Sequence, residues 1–179
     1  MKRLITIMVL VLLGTALASF SAGAGEMKTG APVVHSKDFE AMKALVGAWE
    51  GSADMGKGMQ AFKVTYELTS AGNAILERAF AGSSHEMVTV YHDSGGKLTM
   101  THYCSLGNQP RMELRNSGGN TMEFVLSEKY HGLTSAAETH MHALKIAFDG
   151  KDSITQTWTL FDKGEKKSDE VLKLTRVKI

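Results

Sequence analysis

The chain has 179 residues, of which 20 are Lys or Arg and 19 are Asp or Glu, and its formal net charge at pH 7 is +1. This balance, without a basic block or stripe, argues against nucleic acid and anionic membrane surfaces as partners. The single cysteine, Cys104, excludes an internal disulfide, and the length suits one domain with its own core.

The amino terminus has the pattern of a secretory signal peptide. Lys2 and Arg3 precede an apolar run at residues 4–13, and small residues follow it. Two A-x-A sites, at residues 16–18 and 22–24, predict cleavage after residue 18 or 24. The apolar run is shorter than the roughly 20 residues that a membrane-spanning helix needs. We therefore predict export to the periplasm or the medium, without membrane insertion after cleavage; an uncleaved anchor is the alternative.

One short helix is predicted before the first strand. Residues 19–35 are rich in Gly, Ala and Ser and lack periodicity, which indicates that residues 25–35, beyond the second cleavage site, form a flexible leader. Ser36 is suited to cap a helix of about three turns, and Gly47 is suited to end it. The helix has a single apolar stripe, formed by Phe39, Met42, Leu45 and Val46.

From Gly47 onward the hydrophobic period changes to two, which is typical of strands with one buried face. Turn sequences rich in Gly, Asn and Asp separate the runs and indicate hairpins. The spacing predicts about ten strands. Short connections favour antiparallel neighbours, and closure removes the exposed edges. We predict an all-β, up-and-down barrel with one N-terminal helix over residues 36–179.

One connection, at residues 128–139, is longer than the others and lacks alternation. Two interpretations stay open at this point. The segment forms a flap or short helix over one mouth of the barrel, or it is simply a long loop.

Several segments carry a resemblance to known barrels. Residues 45–51 contain Gly47-Ala48-Trp49 and resemble the opening of calycin-type barrels, where G-x-W enters the first strand and the Trp plugs one end. Residues 85–92, 101–104, 107–112 and 140–142, taken in order, resemble an exported bacterial lipocalin-like family of unknown function. The resemblance implies a lipocalin-like fold and no particular activity.

Nitrobindin-like haem barrels are a more distant similarity. Their proximal His lies near the end of the chain, whereas no His follows His142 here. Haem is therefore a less favoured cofactor than a divalent metal.

Four residues form a candidate metal site. His102 and Cys104 continue the apolar face of one predicted strand, and His140 and His142 begin that of another. Residues two apart on a strand project to the same side. If both faces point inward, they predict a tetrahedral site for zinc or another divalent metal, with Glu138 as a ligand or outer-shell partner. A polar lining for a ligand cavity and a structural hydrogen-bond network are the alternatives.

Two further polar residues are candidates for ligand contact. Gln156 lies between Ile154 and Trp158 on one predicted inner face, where its amide needs a partner. Arg111 points outward by simple counting. A bulge after Pro110 would turn it inward, where its guanidinium suits a carboxylate.

The leading hypothesis is a binding protein for a small, largely apolar or amphipathic molecule with a polar end. A barrel of about ten strands leaves interior room for such a ligand. The predicted wall residues are Phe62, Tyr66, Met100, Phe124 and Trp158, and the predicted polar contacts are His102, His140, His142 and Gln156. The alternatives are an enzyme that uses the His/Cys cluster, through a metal or a His base, and a structural or interaction module with a filled barrel. The sequence favours binding over catalysis.

Overall fold

The computed structural model describes residues 33–54, 58–129 and 131–178. The predicted signal peptide and most of the predicted leader lie outside the described residues. Val33–Ile179 form one compact unit. Within the described ranges, no helix has the length and hydrophobicity needed to cross a membrane.

Ten strands form a closed antiparallel barrel in which each strand pairs with its neighbour in the chain and the last strand pairs with the first. This confirms the predicted all-β, up-and-down barrel. One short α-helix, α1 (Lys37–Met42), precedes it and continues into a 3-10 turn at Lys43–Leu45. The strands are β1 (Gly47–Asp54), β2 (Met59–Thr69), β3 (Ala74–Ala79), β4 (Met87–Ser94), β5 (Lys97–Tyr103), β6 (Arg111–Gly118), β7 (Thr121–Leu126), β8 (His140–Phe148), β9 (Ser153–Asp162) and β10 (Glu165–Arg176).

The helix covers one end of the barrel, which we call the closed end. Ser36 caps it as predicted, because its Oγ accepts a hydrogen bond from the backbone N of Phe39 at 3.1 Å. Ser36 also donates twice to the Asp93 carboxylate at the end of β4, from its backbone N and from its Oγ, both at 2.7 Å. Three residues of the apolar stripe, Phe39, Met42 and Leu45, are fully buried and complete the core at this end, whereas Val46 is partly exposed.

Trp49 and Arg176 join the helix to the first and last strands. The Trp49 indole is buried and donates from Nε1 to the backbone oxygen of Leu45 at 2.8 Å. The Arg176 guanidinium lies 4.2 Å from the centre of the Trp49 ring and donates to the backbone oxygens of Val46 and Ala44 at 2.9 and 2.6 Å. Cation–π contact and hydrogen bonds thus act together at the closed end.

The seam between β1 and β10 is short. Pairing between these strands covers Trp49–Gly51 against Leu174–Arg176. Gly51 is required there, because a Cβ atom at this position would lie 2.3 Å from the backbone oxygen of Lys173. Among the described residues, the part of β10 that precedes Leu174 has no register partner on β1.

A β-bulge in β8 changes which residues face inward. The register with β9 shifts between Met141 and Ala143, so that Met141 pairs with Leu160 and His140 pairs with Phe161. Strict alternation placed His140 and His142 on the face of Leu144 and Ile146, and that prediction is wrong. The extra residue reverses the phase of the strand, as bulges do, and brings Met141 to the inner face instead.

The long connection is a loop, and its described residues contain no helix. It lies against two neighbouring connections at the end of the barrel opposite α1, which we call the open end. The backbone oxygen of Thr139 accepts from Asn108 Nδ2 at 2.8 Å, and the backbone oxygen of Ala137 accepts from Lys163 N at 3.0 Å.

Candidate functional site

The open half of the barrel contains a cavity of about 530 Å³. Its outer part is lined mainly by apolar side chains, which include Met59, Phe80, Met87, Leu106, Met141 and Leu160. Its inner part is polar, because Glu77, His102 and Gln156 line it together with Trp158. An apolar pocket with a few convergent polar groups is the usual character of a small-molecule site.

The strand register explains how the polar end arises. On β2 and β3, Tyr66 pairs with Glu77; on β3 and β4, Glu77 pairs with Thr89; on β4 and β5, Thr89 pairs with His102. Paired residues share a face of the sheet, so these four side chains form one continuous line on the inner face of four adjacent strands. All four are buried, and we call them the polar row.

Gln156 connects the polar row to the opposite wall. It lies on β9, which β10 and β1 separate from β2 in the barrel. Its Nε2 donates to Tyr66 Oη at 2.5 Å and to Glu77 Oε1 at 3.1 Å, and its Oε1 accepts from Trp158 Nε1 at 3.2 Å. The hydrogen-bond partners that we expected for the Gln156 amide are therefore Tyr66 on β2 and Glu77 on β3. Since Gln156 crosses the barrel, it separates the cavity from the packed core below it.

Glu77 is the buried acidic group of this network. Its Oε2 accepts from Tyr91 Oη at 2.5 Å. Burial raises the pKa of Glu77, although hydrogen bonds from Tyr91, Gln156 and Tyr66 act in the opposite direction. Burial and the nearby Glu77 also raise the pKa values of Tyr66 and Tyr91, so both phenols stay protonated at neutral pH.

His102 is a neutral imidazole at the cavity. Its Nδ1 lies 2.9 Å from Thr89 Oγ1, and its ring packs on Trp158 with 4.5 Å between ring centres. Burial lowers the pKa of His102 to about 4. Its Nε2 is buried and has no hydrogen-bond partner within the described part of the chain. A neutral imidazole with one free nitrogen offers a single hydrogen-bonding position to a ligand.

Cys104 also lines the cavity. Its Sγ lies 4.0 Å from the Sδ of Met87, and burial raises the pKa of the thiol. The group is therefore a protonated thiol at neutral pH, which is a poor nucleophile and a poor metal ligand.

His140 and His142 lie on the outer face of β8, away from the cavity. His140 Nδ1 donates to the backbone oxygen of Glu138 at 2.7 Å, and its Nε2 lies 3.2 Å from His142 Nδ1. The His142 ring stacks on Phe161, the register partner of His140, at 3.8 Å between ring centres. His140 is buried and His142 is partly exposed, so the two rings form a packed, hydrogen-bonded pair on the outer side of the barrel wall.

The four predicted metal ligands therefore do not meet. His102 and Cys104 line the cavity, whereas His140 and His142 lie on the other face of the barrel wall because of the bulge. Across residues 33–54, 58–129 and 131–178, no three His, Cys, Asp or Glu side chains are grouped in a way that would hold a metal ion.

The remaining predicted residues divide between cavity, core and surface. Arg111 is exposed and pairs with Thr101, so it points outward as simple counting indicates. Trp158 lines the cavity, and Tyr66 lies in the network beneath it. The other predicted wall residues, Phe62, Met100 and Phe124, are buried in the packed core and do not line the cavity.

Sequence reasoning missed Glu77, Thr89 and Tyr91. A signal for Glu77 was present, because it alternates with Ile75 and Ala79, which are both buried. A carboxylate on an apolar strand face is unusual and marks a group that needs partners.

The cavity also reaches the seam of the barrel. Ser52 and Ala53 of β1 line it, and so do Glu170, Val171 and Leu172 of β10. Val171 is half exposed. These residues lie beyond the short paired segment at Gly51, so the cavity opens between the two strands where their pairing has stopped.

Comparison with known proteins supports the fold. No family model matches the chain, and no curated protein matches it. A crystal structure of a protein of unknown function from the DUF3598 family of Nostoc punctiforme is similar, with a TM-score of 0.50 and 13% identity. The match covers 76% of this chain and 49% of that one, so this chain spans about half its length. At this identity the similarity shows a shared fold alone: the chain is a ten-stranded antiparallel β-barrel, which is consistent with a lipocalin-like protein.

Proposed function

We propose that this protein binds a small, largely apolar molecule in the open half of its barrel, with the polar end of the molecule beside Glu77, Gln156 and His102. The observation that carries the proposal is the cavity itself, which has apolar walls and a polar inner end. A volume of about 530 Å³ lies within the range of small-molecule sites. The unpaired Nε2 of His102 supports the placement of the polar end, since buried polar atoms ordinarily have partners.

The test uses N-phenyl-1-naphthylamine, a neutral probe whose fluorescence increases in an apolar site. We expect the purified mature protein to bind it with saturation. Ala53→Phe fills the cavity next to the seam and should weaken binding at least about tenfold, which corresponds to roughly 1.4 kcal/mol. Leu68→Phe is the matched control, because Leu68 is exposed on β2 and does not line the cavity. Equal binding by both variants would count against an interior site.

Native mass spectrometry of the protein, purified without an affinity tag or a chelator, complements the probe. An additional organic mass that Ala53→Phe no longer carries would identify the ligand. Elemental analysis of the same sample tests the metal alternative independently.

We further propose that the chain acts outside the cytoplasm, on the strength of the signal-peptide pattern in its first 24 residues. Expression of the full chain in a Gram-negative host, followed by intact mass measurement of the periplasmic fraction, tests this. The expected product lacks 18 or 24 residues. A full-length product that stays in the membrane fraction would favour the uncleaved anchor.

A further inference from the structure

The cavity lining has an unusual charge character. Among the described lining residues there are two carboxyl groups, Glu77 and Glu170, and no Lys or Arg. Glu77 is buried at the inner end, and Glu170 is exposed at the seam. The lining histidines do not supply a fixed cation at the inner end, because His102 is neutral and His85 is exposed at the mouth.

The donors of the polar network are already used. Tyr91 Oη donates to Glu77, and both donor contacts of the Gln156 amide go to Tyr66 and Glu77. Trp158 Nε1 donates to Gln156. The network still has unused hydrogen-bond acceptor positions on Glu77 and on the amide oxygen of Gln156. A carboxylate offers about four lone-pair positions and an amide oxygen offers two.

His102 adds one unpartnered hydrogen-bonding position. Its Nδ1 and Thr89 Oγ1 share a hydrogen bond of 2.9 Å. Its Nε2 is buried and has no partner among the described residues. A ligand hydroxyl, which can both donate and accept, can bond to this nitrogen in either tautomer of the ring.

We propose that the cavity selects amphiphiles whose polar end donates hydrogen bonds and carries no negative charge, namely a hydroxyl or a primary ammonium group, and that it rejects the corresponding carboxylates. This inference rests on the proposed function. A carboxylate at the inner end would lose its hydration, find no fixed cation and face Glu77. A hydroxyl or ammonium group would meet free acceptors on Glu77 and Gln156.

The test measures displacement of N-phenyl-1-naphthylamine by decanol, decylamine and decanoate near neutral pH, because these compounds share one alkyl chain and differ in the polar end. We expect decanol and decylamine to displace the probe at least about tenfold more strongly than decanoate. The two favoured compounds distinguish a hydroxyl from an ammonium preference. Decanoate displacing as well as decanol would overturn the inference.

Two variants locate the selectivity. Glu77→Gln keeps the shape of the side chain and replaces one carboxyl oxygen by an amide donor that cannot ionise, so the ratio of decylamine to decanoate affinity should fall several-fold. Glu67→Gln is the matched control, because Glu67 is exposed on β2 and does not line the cavity, and it should leave this ratio unchanged. An unchanged ratio in Glu77→Gln would contradict the role of Glu77.

Leu160→Lys tests the same inference without altering the buried network. It places a cation at the wall of the cavity, so decanoate should become a better competitor than in the wild type. If neither the probe nor any of the three compounds binds the wild-type protein, the proposed function fails; if they bind without this selectivity, only the inference fails.

Discussion

Thr89 and His102 are register partners on β4 and β5, and a hydrogen bond of 2.9 Å joins their side chains inside the barrel. The contact fixes the orientation of an imidazole that also packs on Trp158 from the opposite wall. A neutral, oriented and buried histidine has consequences for stability as well as for binding.

His102 should make the protein less stable in acid. Its pKa is about 4 in the folded protein against 6.5 for an ordinary histidine, so between these values the unfolded chain binds a proton that the folded protein does not. The free energy of unfolding therefore falls as pH falls through this window, by about 3 kcal/mol at its lower end. Urea denaturation of the wild type and of His102→Phe, at several pH values in this range, measures the effect.

His102→Phe keeps a ring against Trp158 and removes the titrating group, so its stability should depend less steeply on pH. Carboxylates with lowered pKa values, such as Glu113 and Glu138, also reduce stability in acid but are common to both proteins. Parallel curves for the two proteins would show that His102 is not the source.

Glu77 should change the pH dependence of the free energy of unfolding in the opposite direction to His102. Its raised pKa means that the folded protein retains a proton that the unfolded chain has already released. The stabilisation linked to this raised pKa is fully present below the ordinary glutamate pKa. It is lost as pH rises through the pKa that Glu77 has in the folded protein. Glu77→Gln should therefore gain stability over the wild type as pH rises from acid to neutral. Denaturation of Glu170→Gln, which replaces an exposed carboxyl group, provides the comparison.

Gly51 should be sensitive to the smallest substitution. Gly51→Ala places a methyl group against the backbone oxygen of Lys173, so β1 and β10 must separate and the free energy of unfolding should fall by at least about 2 kcal/mol. Gly118→Ala is the control, since a Cβ atom there meets nothing within 4 Å. Thermal denaturation of both variants distinguishes a packing effect from a general cost of replacing glycine in a strand. Similar losses in both would argue against the close approach.

The histidine pair on β8 should be separate from ligand binding. The double substitution of His140 and His142 by Ala should leave the affinity for N-phenyl-1-naphthylamine within about twofold of the wild type, because both rings lie on the outer face. His102→Phe, in contrast, should change the displacement of the probe by decanol. A large loss of affinity in the double variant would mean that the outer face takes part in binding.

Local sequence patterns predicted most of the barrel. Period-two alternation and Gly-rich turns account for the strands, and Ser36 with its apolar stripe accounts for the helix, because each depends on residues close together in the chain. The pattern also identified Gln156 as a buried amide in need of a partner.

The candidate site was predicted less well, because two of its determinants are not local. The bulge at His142 has no glycine or proline to mark it, and it exchanges the inner residues of β8. The polar row depends on the register of four strands, which brings Tyr66 and His102 into one line across Glu77 and Thr89. A pattern within one strand carries no information about such alignment.

The brief pairing of β1 with β10 also has a dynamic consequence. Strand pairs separate from the rest of a fold most readily where few hydrogen bonds hold them. The register of β1 with β10 covers three residue pairs, as does that of β5 with β6, whereas β9 and β10 pair over ten. Transient separation of the two terminal strands next to Ala53 and Val171 would widen the route to the cavity while the helix-covered half stayed intact. A bulky ligand would then enter through the wall of the barrel by a local fluctuation. Its rate of entry would depend on the free energy needed to separate β1 from β10.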